Sequence, residues 1–215
     1  MIITELYSKY KIMPQLAAHQ LRVAATAKII CDSFRIDLHV HEVVSACLLH
    51  DMGNILKFDL SYFPEFVEPE GLVYWEGIKK EFAKRYGADE HAATLAIAKE
   101  IGVSALTYEY IEAVGFRNIR RNQEDPSFEK RICGYADMRV GPRGVLSLEG
   151  RFAEGKARYA NRYPSERDAE EFKIKSEGWK AIERQIFKNT SITADAVNDI
   201  TIEKYFSTLK NFEVA

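Results

Sequence analysis

Leu48-Leu49-His50-Asp51-Met52-Gly53-Asn54 ends an apolar run (Val43, Val44, Ala46, Cys47, Leu48 and Leu49) in two metal-capable side chains and a glycine. On a helix, His50 shares a face with Ala46 and Cys47, and Asp51 shares one with Cys47 and Leu48, so both point inward. A carboxylate on an apolar face loses hydration and must recover it from a cation or from donors. The dipole at a helix C-terminus disfavours it further, by a few tenths to about 1 kcal/mol. A divalent metal would supply the missing positive charge. The alternative is that both residues cap the helix through backbone hydrogen bonds before Gly53 takes a left-handed turn.

Outward from this stretch the pattern is helical. A short helix over residues 3–10 leads to Pro14, which suits a first helical turn. From there Leu16, Ala17, Leu21, Val23, Ala24, Ala27, Ile30 and Phe34 repeat at helical spacing, with His19 and Arg22 on one face. A third helix is expected over 40–51. Residues 53–71, with Pro64 and Pro69 among Phe58, Tyr62, Phe63 and Phe66, read as a loop with a short helix, either one wall of a pocket or aromatic packing under a connection. Helices follow over 75–86, 89–101 and 104–112, with Asp89 and Ser104 as N-caps and Gly87 and Gly102 as terminators. Residues 115–125 form a short helix or a loop, and Pro126 opens a helix reaching Met138. Gly141-Pro142-Arg143-Gly144 marks a turn. Amphipathic stretches over 149–163 and 165–188 part at Pro164, and a last helical pattern spans 194–211. No period-2 strands with paired turns occur, so the fold class is all-α.

Bulk properties narrow the function. At 215 residues, 47% hydrophobic and 29% charged, the chain has an ordinary globular composition and can bury a core. A net charge of -2 gives no electrostatic case for nucleic-acid binding, although local basic residues can still gather around a small anion. Cys31, Cys47 and Cys133 are odd in number, far apart and set in apolar stretches, which predicts free thiols in a reducing compartment; with no Cys-x-x-Cys, a thiolate zinc site is not expected. No apolar run approaches 18 residues and no charged-then-apolar leader opens the sequence, so no membrane and a cytoplasmic setting are expected.

Two further residues invite a metal reading. His19 lies beside the packed stripe of Ala17, Ala18 and Leu21, and Arg22 at i+3 offers a guanidinium fork suited to phosphate. Arg22 pairing directly with Asp51 is the metal-free alternative. Asp137 follows the small residues Cys133 and Gly134, which allow its helix to approach another closely. Its alternative is a surface aspartate paired with Arg139 or Arg131.

Taken together, the order His19, His50-Asp51, Asp137 resembles the HD superfamily of metal-dependent phosphohydrolases over roughly residues 13–140. His19-Gln20-Leu21-Arg22-Val23-Ala24 looks like that family's first-histidine helix, residues 48–53 like its doublet helix, and Tyr135-Ala136-Asp137 like its last aspartate. The resemblance implies an HD-domain-like helical bundle over 1–148, with 149–215 as a C-terminal helical extension packed on it in the same domain. It implies one divalent ion (Mn, Fe, Co, Ni, Zn or Mg) held by His19, His50, Asp51 and Asp137, a mixed N/O donor set of net charge zero with the ion. Asp51 and Asp137 would be catalytic, orienting a metal-activated water. Arg22, Asn54 and Lys57 would contact a phosphate, and His91 resembles a further histidine of some members, with a structural first-turn histidine as its alternative.

The expected function is hydrolysis of a nucleotide or another small phosphorylated metabolite. The rival is a non-catalytic nucleotide-sensing or partner-binding module, whose C-terminal helices dock a partner or build a homo-oligomer. Met52-Gly53-Asn54-Ile55 lacks the acidic residue that some HD nucleotidases and guanosine-tetraphosphate hydrolases carry after the doublet, which argues against those two activities. Two-iron redox chemistry, found in some relatives, would need more histidines around the doublet. His39 and His41 read as loop or cap residues. Arg117, Arg120, Arg121, Arg139 and Arg143 are either solvated or steer an anion.

Overall fold

The computed structural model describes residues 1–158 and 166–214. Its helices are α1 (Ile3–Lys9), α2 (Pro14–Asp32), α3 (Val40–Leu49), α4 (Leu72–Tyr86), α5 (Glu90–Ile101), α6 (Ala105–Ala113), α7 (Ile119–Glu124), α8 (Phe128–Arg139), α9 (Leu148–Arg158), α10 (Glu166–Phe187), α11 (Asp199–Ile202) and α12 (Phe206–Leu209). Among the described residues there is no strand, only the isolated bridges Ile2 to Glu213, Phe34 to Thr190 and Val140 to Val145. The fold is all-α.

Burial on every side makes α3 the centre. Each residue from Val43 to Leu49 is buried, as a helix without a polar face requires. Helices α2, α6 and α8 pack directly around it. Local chemistry sets the ends of these elements: the Asp89 carboxylate accepts the Ala92 N–H at 2.7 Å to start α5, and Ser104 and Ser127 do the same for α6 and α8. Glycine at 134 permits a close helix approach, because a Cβ there would lie 2.7 Å from the Trp179 ring of α10. The buried side chains of Trp179, Ile182 and Ile186 cover this side of the core.

Of the alternatives for 115–125 the short helix is present, as a 3₁₀ turn, Phe116–Asn118, followed by α7. Two expectations need correction. Helix α3 ends at Leu49, two residues before the expected end at Asp51. The helical pattern over 194–211 is broken into 3₁₀ turns Ala194–Ala196 and Glu203–Tyr205 with α11 and α12. The reason is local: the Asn198 side chain accepts the Ile200 and Thr201 N–H groups while Thr201 Oγ1 accepts the Asn198 N–H, a reciprocal cap that starts a new helix mid-pattern. The expected break at Pro164, with its flanks Tyr163 and Ser165, lies outside the described residues.

The C-terminal segment folds back over the chain. Helix α10 packs on α7 and α8, while α12 and the turn before it lie on α2. All three cysteines are free and buried. No described helix is long and apolar enough to cross a membrane.

Candidate metal centre

His50 is the C-cap of α3, and its side chain is fully buried. Its Nδ1–H donates to the Cys47 carbonyl at 2.8 Å, which fixes the ring and aims Nε2 away from its own helix. Nε2 has no hydrogen-bond partner. It stands 3.5 Å from Asp51 Oδ2 and 3.4 Å from Asp137 Oδ1. From α2, His19 Nε2 lies 3.2 Å from the same Asp137 oxygen and 3.7 Å from Asp51 Oδ2. One ligand atom from each of His19, His50, Asp51 and Asp137 thus lies within 4.8 Å of the others.

A buried polar atom without a partner is costly and rare in native proteins. Here the orphan is an imidazole nitrogen facing two carboxylates, a donor set of two nitrogens and two oxygens that a divalent first-row ion satisfies. The residues present therefore fit the implied metal.

Electrostatics of the metal-free site point the same way. Burial pulls the His50 imidazole down, but the Asp51 charge, the Asp137 contact and charge, and the Cys47 carbonyl outweigh it and lift His50 to about 10. Burial pushes Asp137 up, yet its bond to His19, the close His50 contact and the charges of both imidazoles hold its carboxyl well below the usual range. Without metal, the protonated His50 offsets the charge of the neighbouring carboxylates. That charge contact stabilises the fold fully below the ordinary imidazole value near 6.5 and is lost as pH rises through about 10, whereas the Asp137 contribution is present above the usual carboxylate range and lost as pH falls through its depressed value. Metal binding must displace the proton, so Co²⁺ affinity measured by titration is expected to rise about tenfold per pH unit between about pH 6 and pH 8. A pH-independent affinity would contradict this.

The arginine partners that would replace a metal beside Asp51 and Asp137 are engaged elsewhere or unpaired with them. Arg139 is 4% exposed and bonds the carbonyls of Leu146, Ala194 and Val197 and the Tyr135 hydroxyl. Arg131 bonds the carbonyls of Asn122, Gln123 and Asp125. Neither pairs with Asp137. Arg22, half-buried one turn beyond His19, forms no ion pair with Asp51 or any other described residue.

Gly53 differs from expectation. Its φ of -93° is right-handed, so no left-handed turn follows the doublet. Glycine is required because α5 comes so close: a Cβ would lie 2.3 Å from the Glu90 carbonyl oxygen and 2.9 Å from the Thr94 nitrogen. The Gly53 N–H donates to Thr94 Oγ1 at 2.9 Å, and that hydroxyl donates to the Glu90 carbonyl at 2.9 Å. Gly53→Ala must push backbone from backbone, and urea unfolding is expected to show a loss of about 1–3 kcal/mol. An unchanged midpoint would mean that α5 is free to retreat.

Asn54 opens the 3₁₀ turn Asn54–Lys57, is 4% exposed and has a side-chain amide without a hydrogen-bond partner among the described residues. Lys57 ends that turn, exposed and without an ion-pair partner among them. His91 is half-buried in the first turn of α5, next to the Glu90 carbonyl that abuts Gly53, and is not one of the four clustered residues. Tyr62, Phe63 and Phe66 stack in the loop after the doublet, where Arg143 pairs with Glu65 at 2.9 Å and lies over the Phe63 ring. Of the arginines taken as a basic concentration, Arg139 and Arg143 are therefore committed, while Arg117, Arg120 and Arg121 are exposed and without ion pairs. His39 bonds Glu129 and His41 the Glu213 carbonyl.

A family model of the HD domain matches residues 16–137, a span that opens three residues before His19 and closes on Asp137. Comparison with curated proteins and with solved structures gave no match.

Proposed function

Because the chain belongs to the HD-domain family, whose members are in general metal-dependent hydrolases, we propose that it hydrolyses the phosphate ester of a nucleotide or another small phosphorylated metabolite. The observation that carries this reading is the buried, unpartnered His50 Nε2 facing Asp51 and Asp137, with His19 closing the set. When bound to these four residues, a divalent ion supplies Lewis-acid polarisation of the phosphoryl group and an acidified water.

The chain's own groups do the rest. Asp137, held anionic by its imidazole neighbours, accepts a hydrogen bond from the attacking water and orients it; Asp51 stands beside it, its carboxylate facing the same His50 nitrogen. Arg22 brings an uncommitted guanidinium to the helix face that carries His19, where charge-assisted bonds to phosphate oxygens would satisfy it. The Asn54 amide and Lys57 ammonium, also unpaired among the described residues, extend the phosphate contacts along the turn after the doublet, and His91 in the first turn of α5 is a further candidate for them. With no acidic residue in 52–55, that turn supplies no acid for the leaving group. We further assign 149–215 to the same domain as the core, on the strength of α10 lying on α7 and α8 and of the Ile2 to Glu213 bridge.

The test is phosphate release from a panel of nucleotides and phosphorylated metabolites with Mn²⁺, Co²⁺ or Zn²⁺ added. Failure across the panel would sink the hydrolase reading. Thermal stabilisation by a nucleotide without turnover would replace it with a sensing module.

A further inference from the structure

The end of α3 is decided by two hydrogen bonds that are not helical. The next bond of the helix would run from the Asp51 N–H to the Cys47 carbonyl. Both groups are diverted: the carbonyl accepts from His50 Nδ1 at 2.8 Å, and the Asp51 N–H donates to Gln20 Oε1 at 3.2 Å. Gln20 is fully buried on α2, immediately after His19. Its Nε2 has no partner, so the buried amide is retained at the cost of an unsatisfied donor. That cost is unexplained if the side chain merely fills space, since methionine would fill it without orphaning a donor.

We propose that Gln20 is a positioning residue: its carboxamide oxygen captures the Asp51 backbone, stops α3 at Leu49 and turns the Asp51 carboxylate toward Asp137 and the two imidazoles. Continued helix at Asp51 would make the Cys47 carbonyl, which can accept two hydrogen bonds, serve the Asp51 N–H as well as the His50 ring. One side chain on α2 therefore fixes the Asp51 member of the doublet through its backbone and leaves the Cys47 carbonyl to the His50 ring alone. It also ties this geometry to His19, its neighbour in sequence, so three of the four clustered residues move as a unit. The inference rests on reading the cluster as a metal site.

The experiment uses the full chain and Co²⁺ alone, read by its visible absorption and by titration. Gln20→Met removes the acceptor at nearly constant volume. It is expected to lower Co²⁺ affinity about 10- to 100-fold and to change the absorption bands, while the thermal midpoint of the metal-free protein holds or rises. Gln20→Glu restores an acceptor at the same reach and is expected to return affinity and spectrum toward wild type. A Gln20→Met protein with wild-type affinity and spectrum would overturn the proposal, as would a large fall in thermal midpoint at unchanged affinity. Should Gln20→Met not fold, amide exchange at Asp51 in the wild-type protein decides: slow exchange supports the Gln20 bond, and exchange at the rate of an open turn overturns it. If wild-type protein takes up no Co²⁺, the metal reading itself fails, a result distinct from either variant outcome.

Discussion

A His50→Ala protein is expected to lose stoichiometric divalent metal and, with it, phosphate release, by more than about 100-fold in kcat/KM. Perturbing groups that only support ligands already costs about 10–100-fold, and this substitution removes a ligand outright. It also deletes the Nδ1–H bond to the Cys47 carbonyl, so that carbonyl regains the chance to accept the Asp51 N–H and extend α3. Asp51 and Asp137 then lose the imidazole that stands within 3.5 Å of both; His19 still holds Asp137 low, and only the His50 share of that lowering is lost. Elemental analysis alongside the substrate panel separates the outcomes. Equal turnover by wild type and His50→Ala would assign the activity to another centre or another protein. Asp51→Asn is the sharper companion: it keeps the shape and the backbone bond to Gln20 but removes one of the two anionic donors, so metal loss without refolding is the expected result.

What the sequence made legible divides along the kind of partner each residue has. The doublet was readable because two polar side chains end an apolar run, and side chain facing side chain leaves a pattern. Asp137 was readable through the small residues before it, although the two serve different neighbours: Cys133 faces Val43 of α3, while Gly134 makes room for Trp179 of α10. Gln20 was not: it sits among apolar residues on α2, and its partner is a backbone N–H 31 residues away, which no residue type advertises. A left-handed Gly53 belongs to the capping alternative alone; its reason in the fold is the Glu90 carbonyl arriving from α5, and both demands select the same residue. The signal for the break within 194–211 was present in Asn198 and Thr201, but hydrophobic periodicity alone carries across a cap.

Arg139 is the clearest case of a misread charge, and its replacement has the largest expected effect on stability. In sequence it belonged to a run of arginines near Asp137; in the fold its guanidinium is buried two residues past that aspartate. Nε donates to the Leu146 carbonyl, Nη1 to the Tyr135 hydroxyl and the Ala194 carbonyl at 3.2 Å, and Nη2 to the Val197 carbonyl at 2.9 Å. Tyr135 in turn donates to Glu183 of α10, whose carboxylate lies 4.0 Å from Nη1. One planar group thus ties the end of the Asp137 helix to the turn after it, to α10 and to the segment before α11. Arg139→Met keeps the apolar stem but leaves three carbonyls without this donor and the Glu183 charge without its cation. Leaving a buried acceptor without its donor costs about 1–3 kcal/mol, so with three carbonyls affected a loss of about 3 kcal/mol or more is expected in urea unfolding. Arg139→Lys is expected to recover only part of it, since an ammonium cannot reproduce the fork. Hydrogen exchange should locate the damage: amides of 194–214 speed up first, while those of α2 and α3 stay protected. A change below about 1 kcal/mol, the net worth of one ordinary hydrogen bond, would mean that the C-terminal segment holds its place without Arg139.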